Sequence, residues 1–236
     1  MCDPHAISPS ASPKHPPIIE GSFGVLDIEC SKDPALDLRA TRSTSAKLLG
    51  LKLDGFCLLS GRFEGQESKG LTLLSRFSDD EPALLRALSE AMADKCAEGT
   101  IITFNGSAYD LPIIRRRAIR HLLFDLFGLH NLTNVRHIDL LTEMGNGSQK
   151  ACGSLSDRCA VYSIDCDPYH VAQRPERMTR AERKCQIDVA ATFMLLLHEL
   201  SSVHETPDIL ASGWDALEHM LAGKKGGGDH LMQFLP

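Results

Sequence analysis

Two carboxylates stand two positions apart near the end of an apolar run, in the segment GVLDIEC at residues 24–30. Alternate residues of a β-strand point to the same face, so Asp27 and Glu29 are predicted to project side by side from a strand that is otherwise buried. Burying two like charges is costly unless a cation neutralises them, and Mg²⁺ and Mn²⁺ prefer oxygen ligands. The pair therefore predicts a divalent-metal site, with a solvated strand end as the alternative.

The same spacing occurs a second time, in Asp79-Asp80-Glu81, so spacing alone does not identify a site. This copy precedes Pro82 and a segment of helical periodicity, where acidic residues face the free N–H groups of a helix start. We interpret it as a helix N-terminus, and the context of each motif has to decide between the two roles.

A third acid, Asp110, follows a predicted strand at residues 100–104 and the dipeptide Asn105-Gly106. Ligands bind at the carboxyl ends of strands in α/β sheets, and Gly106 permits a close backbone approach there. Asp110 is alternatively a cap for the helix that follows it. The two roles are compatible, because one carboxylate oxygen can accept an N–H while the other faces a metal-bound water.

A fourth acid, Asp188, borders the apolar stripe of a long predicted helix, with Lys184 one turn earlier on the same side. Taken alone, such a residue is either a satisfied acid at the rim of the core or a member of a site.

Cationic residues are concentrated in the first turns of the helix after Asp110, where they are unfavourable without a partner; they are Arg115, Arg116, Arg117, Arg120 and His121. Phosphate is one such partner, and neighbouring acids on a solvated face are the alternative.

The elements that must position these residues follow from hydrophobic periodicity. Strands are predicted at 24–30, 48–59, 71–75, 100–104 and 135–140, and helices from 83 up to Gly99, over 112–127, over 179–200 and after Thr206. Between them we predict a polar loop at 31–45, a hairpin-like connection at 64–70, a loop-rich stretch at 142–178 and a mobile segment at 224–228. Three early strands followed by alternating helix and strand predict an α/β fold, a mixed five-stranded sheet with helices on both faces.

The composition, 236 residues with 43% hydrophobic and 24% charged, is typical of a soluble globular protein. A net charge of −6 argues against a protein that coats nucleic acid by bulk electrostatics, but permits one that grips a strand end locally. No apolar run reaches membrane-span length and the first residues lack secretory features, so we expect a cytoplasmic protein without a membrane partner.

Residues 1–17 carry five prolines and are predicted to form a disordered tail, followed by one domain at 18–205 and a peripheral extension at 206–236. The eight cysteines include no C-x-x-C pair. We interpret them as reduced and mostly buried thiols rather than zinc ligands.

Taken together, the motifs resemble those of a known family. DIE at 27–29, NG at 105–106 with YDLP at 109–112, and Cys185 with Asp188 and Thr192 are similar, in order, to the three motifs of the DEDD 3′-to-5′ exonuclease superfamily. The nearest likeness is to stand-alone exonucleases similar to the proofreading domains of family B DNA polymerases, and HIDLL at 137–141 resembles a strand of that group. The resemblance covers about residues 18–200 and implies a ribonuclease H-like fold.

The resemblance also implies a two-ion site of Mg²⁺ or Mn²⁺. Asp27 would bridge the ions, Glu29 and Asp188 would complete the shell of the first, and Asp110 would hold the second through water. Such a pair activates a water for attack and stabilises charge on the leaving 3′ oxygen.

The implied substrate is the 3′ end of single-stranded DNA or RNA. Asn105, Gly106 and Tyr109 would shape the pocket for the terminal nucleotide, with Tyr109 packing on its base or sugar. Arg115 is the candidate contact to phosphate. Whether a replication or repair protein is a partner stays open.

One position departs from the family. A tyrosine four residues before the last aspartate, or a histidine five before it, usually orients the attacking water, and this chain has Lys184 and Arg183 there. Three alternatives follow: an exonuclease without the usual helper, one in which Lys184, Tyr162 or Tyr169 replaces it, or a slow or inactive nucleic-acid-binding module on the same fold. A lysine acting as base needs a lowered pKa; alternatively, Lys184 pairs with Asp188 or contacts phosphate.

Overall fold

The structure, a computed structural model, describes residues 19–36, 48–96, 99–126, 136–144, 153–166, 178–223 and 228–236. The predicted tail at 1–17, Tyr169 and nearly all of the segment predicted to be mobile at 224–228 lie outside the described residues.

A mixed five-stranded sheet forms the centre of the fold, as predicted. Its strands are β1 (Gly21–Lys32), β2 (Leu51–Glu64), β3 (Glu67–Phe77), β4 (Thr100–Thr103) and β5 (Arg136–Asp139). The order across the sheet is β3-β2-β1-β4-β5. β1, β2 and β3 pair antiparallel, whereas β1, β4 and β5 run parallel, so the carboxyl ends of these last three strands meet at one edge of the sheet.

Helices cover both faces of this sheet. They are α1 (Glu81–Cys96), α2 (Asp110–Arg120), α3 (Leu140–Met144), α4 (Leu155–Val161), α5 (Arg180–His204) and α6 (Asp208–Ala222), followed by a 3₁₀ helix at Asp229–Phe234.

Alternation along β1 divides the core into two layers. Phe23 and Val25 pack in a cluster with the apolar side of α5, and Leu26 and Ile28 pack in a second cluster with α1 and α2. Asp27, two residues after Val25, continues the α5-facing row in the second half of the strand. The burial of Phe23 and Val25 therefore fixes the face of β1 from which Asp27 projects.

The long helix α5 is the main element facing that row. Its N-cap Thr179 accepts a hydrogen bond from Glu182 N, as predicted for a helix start at this residue, and Glu205 ends the helix in a left-handed conformation with φ 51°. The helix is buried on most sides because β1, β2 and β3 contact it on one side and α6 on another.

Helix α2 and the stretch after residue 142 differ from the sequence prediction. Helix α2 ends at Arg120 rather than at 127, because Leu122 adopts φ 56° and Leu123 N donates to Ala118 O. The stretch predicted to be loop-rich contains α4, which begins with a capping box between Ser154 and Asp157. Its S-x-x-D signature is present in the sequence.

The first hairpin is longer and tighter than predicted. Strand β2 begins at Leu51 rather than 48, and β2 and β3 extend to a turn at Gly65-Gln66 in which Gly65 has φ 62°. The connection predicted over 64–70 is therefore mostly strand.

Residues after 206 pack on the same core as α5, where Ile209, Leu217, Met220 and Leu221 are buried. The domain boundaries at 18–205 and 206–236 stay predictions. Six cysteines lie within the described residues without a disulfide, and four of these are buried, as predicted; the reduced state stays a prediction.

Within the described ranges, no helix has the length and apolar character that crossing a membrane requires.

Candidate metal centre

Three of the four predicted acids converge. Asp27 and Glu29 project from the second half of β1, and Asp188 projects from α5; each offers a carboxylate oxygen within 4.8 Å of the others. The side chains of Glu29 and Asp188 are 20% and 22% exposed. The cluster is therefore open to solvent on one side and closed by the sheet on the other.

Local structure explains why these residues meet. A register shift in the pairing of β1 with β2 follows Glu29, which lies opposite Gly55. A Cβ on Gly55 would lie 2.3 Å from the ring of Phe77, so only glycine permits this packing. On the other side, the Cys185 thiol donates to the carbonyl oxygen of Asp27 over 3.4 Å and fixes α5 against β1 three residues before Asp188.

Asp27 is the acid that most needs a cation. Burial, together with the charges of Asp110 and Asp188, raises its pKa well above the ordinary value. Its Oδ2 atom is buried and has no hydrogen-bond partner among the described residues. An oxygen that is buried, unpaired and next to two further carboxylates fits a hard divalent cation such as Mg²⁺ or Mn²⁺.

Asp110 lies beside this group without belonging to the set within 4.8 Å. It is the first residue of α2 and only 3% exposed. The N-cap is Tyr109, and no side-chain cap bond is formed there, so the predicted capping role of Asp110 is not observed. Burial, followed by the charge of Asp139, raises the pKa of Asp110 to about 8, and Glu29 and Asp188 act in the same direction.

Asp139, at the end of β5, organises the loop that leads to Asp110. It is 4% exposed, its Oδ1 accepts from Asn105 N over 2.8 Å, and its Oδ2 accepts from Ser107 N over 2.9 Å. These bonds hold Asn105 in a left-handed conformation with φ 68°. The sequence prediction did not assign Asp139 a role, although its position at the carboxyl end of a parallel strand was a usable signal.

The remaining predicted substrate residues lie around this loop. Gly106 does allow a close approach, but to Thr103, because a Cβ would lie 2.3 Å from Thr103 Oγ1. Tyr109 is half-buried, and burial together with the charges of Cys30 and Asp110 raises its pKa to about 12. Arg115 is exposed on α2 and is not brought into the cluster.

Lys184 lies inside the cluster. Its Nζ donates to Glu29 Oε1 and to Asp188 Oδ2, each over 2.7 Å, while its side chain is 50% exposed. Burial opposes the charge, but Asp188 and the two hydrogen bonds outweigh it and raise the pKa of Lys184. This direction is opposite to the lowered pKa that a general base requires.

Tyr162, the described alternative to the missing tyrosine, is directed elsewhere. Its hydroxyl donates to Glu199, and its ring stacks on His198 with centroids 4.8 Å apart. The side chain is therefore engaged with a part of α5 three turns beyond Asp188.

Three of the five cations at residues 115–121, namely Arg117, Arg120 and His121, have acidic partners, which is the alternative to phosphate. Arg117 binds Asp33 through Nη1 over 2.8 Å and Glu81 through both Nε and Nη2, and His121 binds Glu81 over 2.7 Å. The second D-x-E copy is accordingly structural: Asp80 accepts from the N–H of the third residue along, as predicted for a helix start. The buried pairing of Glu81 with Arg117 was not predicted.

A cleft of about 610 Å³ opens beside the cluster, between α4 and the start of α5. Its walls include Lys184 and Asp188 on one side and Ser154, Ser156 and Cys166 on the other. This volume is within the range of sites for small ligands.

Comparison with known families agrees with the fold. Residues 50–165 match the family model of the RNase_H superfamily. The match supports the RNase H-like superfamily. The matched segment runs from the start of β2 to the residues after α4, and it contains Asp110 and Asp139 but neither the acids of β1 nor Asp188. No curated protein matches the chain. The finer resemblance to DEDD exonucleases stays a prediction.

Proposed function

We propose that this protein is a metal-dependent 3′-to-5′ exonuclease that hydrolyses phosphodiester bonds at the 3′ end of single-stranded DNA or RNA. The observation that carries the proposal is the convergence of Asp27, Glu29 and Asp188 within 4.8 Å around a buried carboxylate oxygen that has no hydrogen-bond partner in the part of the chain that the structure describes. The RNase H-like match over 50–165 also supports nuclease chemistry. This support is independent of the acidic cluster, because the matched segment contains none of the three acids.

Each acid has a role in holding cations. Asp27, Glu29 and Asp188 would bind one Mg²⁺ or Mn²⁺ ion, and Asp110 would bind a second one jointly with Asp27. When bound, the ions supply the charge that favours attack of water on phosphorus and stabilises the leaving oxygen. The raised pKa of Asp27 in the chain alone is consistent with a carboxylate that is stable in its ionised form only beside such a cation.

The loop after β4 would receive the terminal nucleotide. Asn105 and Gly106 are held by Asp139 and Thr103, so their backbone is preorganised for binding. The half-buried ring of Tyr109 offers a surface for stacking on a base or sugar, and the cleft next to Asp188 leaves room for the end of the strand. We also propose that the exposed Arg115 contacts a phosphate of the strand.

A second candidate function is a binding module without turnover. The observation that favours it is the ammonium of Lys184, which already pairs with two of the three clustered acids. On this alternative the fold would engage a strand end, or a protein that acts on such ends, while hydrolysis is slow or absent.

A nuclease assay with matched acid variants separates these functions. The full chain is incubated with Mn²⁺ and single-stranded DNA or RNA labelled at either end, and exonuclease action at the 3′ end predicts mononucleotide release from a 3′ label and a descending ladder from a 5′ label. Asp27→Asn should abolish release, whereas Asp79→Asn, which removes an exposed acid of the same D-x-E spacing, should leave it unchanged. Binding of the oligonucleotide without any release would favour the module.

A further inference from the structure

A covalently tethered cation lies within the proposed metal centre. Lys184 Nζ is 2.7 Å from Glu29 Oε1 and 2.7 Å from Asp188 Oδ2, and these are two of the three carboxylates that would bind the first divalent ion. The inference drawn from it rests on the proposed metal centre and concerns how that centre is controlled.

The ammonium is a partial substitute for a metal ion. It compensates the charge of Glu29 and Asp188 but donates no hydrogen bond to Asp27, whose buried Oδ2 has no partner among the described residues. A divalent ion in the cluster would interact with all three carboxylates and would carry twice the charge. The same oxygens therefore have two competing cations, one of them attached to the chain.

Helix geometry keeps Lys184 at the cluster and also lets it leave. Lys184 and Asp188 are separated by four residues on α5, the spacing at which side chains of a helix meet. The side chain of Lys184 is nevertheless 50% exposed and borders the open cleft, so the ammonium can move into solvent without disturbing the core.

We propose that the Lys184 ammonium is a built-in competitor of the divalent cation. The ammonium has to leave Glu29 and Asp188 before a metal ion can bind all three acids. The observed association constant for metal is then the intrinsic constant multiplied by the fraction of molecules in which the ammonium is away from the cluster. The centre is thereby tuned to load only at higher concentrations of divalent cation.

The test compares Mn²⁺ binding to the full-length protein and its variants by electron paramagnetic resonance and calorimetry. Lys184→Gln should bind Mn²⁺ about tenfold more tightly than the wild type, since an ion pair of this exposure holds the ammonium at the cluster only moderately. Lys69→Gln is the matched control, because Lys69 is 51% exposed and also pairs with two acids, Glu64 and Glu67, which are remote from the centre. The Lys69→Gln variant should therefore bind Mn²⁺ as tightly as the wild type.

A second measurement needs no substitution. In wild-type protein with isotope-labelled lysine, titration with Mg²⁺ should shift the NMR signal of the Lys184 ammonium as it leaves its two carboxylates, while the Lys69 signal stays in place. A Lys184 signal that does not change while Mg²⁺ binds would overturn the inference, whether or not Lys184→Gln folds.

The outcomes also separate this inference from the proposed function. Equal Mn²⁺ affinities of the wild type and Lys184→Gln, with binding abolished by Asp27→Asn, would overturn the competition and leave the metal centre standing. Failure of both the wild type and Lys184→Gln to bind Mn²⁺ would overturn the centre and the competition together. Tighter Mn²⁺ binding by Lys184→Gln, with no hydrolysis by the wild type or by the variant, would support the competition and contradict the exonuclease.

Discussion

Arg117 is the residue whose replacement most directly tests how α2, and with it Asp110, is held in place. Its guanidinium joins Glu81 at the start of α1 to Asp33 after β1, and the three side chains are 6–7% exposed. Glu81 also accepts from Leu53 N over 2.7 Å, which extends the network to β2. The replacement Arg117→Met keeps most of the length of the apolar stem and removes the charge.

The expected cost follows from what the variant leaves behind. Two buried carboxylates, Asp33 and Glu81, lose their principal cation; His121 remains as a partner for Glu81, and the half-exposed Arg120 remains 3.7 Å from Asp33. Removing one member of a buried ion pair typically costs about 3–5 kcal/mol of folding free energy. The pair Arg86 with Asp125 is the matched control, because its side chains are 49% and 71% exposed and an exposed pair contributes about 0–1 kcal/mol.

Urea unfolding followed by circular dichroism measures both variants at pH 7. We expect Arg117→Met to lose several times more stability than Arg86→Met. In the triple replacement of Arg117 by Met, Glu81 by Gln and Asp33 by Asn, we expect part of that loss to be recovered, because the uncompensated charges are gone. A loss in Arg117→Met no larger than that in Arg86→Met would refute the assignment of Arg117 as the central cation of a buried network.

Three further predictions concern pH, the loop and a glycine. Burial opposes ionisation, but hydrogen bonds hold the pKa of both acids below the ordinary values: bonds from Arg117 and His121 act on Glu81, and bonds from the Ala35 N–H and Arg117 act on Asp33. Their stabilisation is therefore complete above the unfolded pKa near 4 and is lost as pH falls through the folded values, which urea unfolding between pH 2 and 7 checks. Asp139→Asn should weaken oligonucleotide binding about tenfold, since an amide NH₂ replaces one of the two oxygens that accept from the backbone of Asn105, Ser107 and Leu141, while Mn²⁺ affinity changes little; equal loss of both would contradict a positioning role. Gly106→Ala should destabilise the protein by about 1–3 kcal/mol because its Cβ would lie 2.3 Å from Thr103 Oγ1, and an unchanged unfolding midpoint would contradict this packing.

The elements with strong local periodicity could be predicted from the sequence. The apolar run that contains Asp27 is typical of a buried strand, and the apolar stripe along 187–197 has the periodicity of a long helix. The side-by-side projection of Asp27 and Glu29 followed from the repeat of two. That Asp188 joins them came from the order of motifs in a family that the chain resembles, since local pattern alone does not bring β1 and α5 together.

What could not be predicted depends on partners distant in sequence. Glu81 pairs with Arg117 across 36 positions, and Asp139 binds the backbone of Asn105 across 34 positions. Such long-range pairings follow from tertiary packing. The early end of α2 follows instead from the left-handed conformation of Leu122, and the sequence carries no signal for it because glycine is the residue that usually occupies this position at a helix end. The capping box at Ser154 is different in kind, because its signal was present in the sequence.

Crystals of the full chain soaked in Mn²⁺ and measured near the manganese absorption edge test the central claim most directly. We expect an anomalous peak at coordination distance, about 2.1 Å, from oxygens of Asp27, Glu29 and Asp188, with Lys184 Nζ displaced from the two carboxylates that it contacts in the structure. A soaked crystal with manganese bound elsewhere, and with these three carboxylates unchanged and Lys184 still between them, would contradict it.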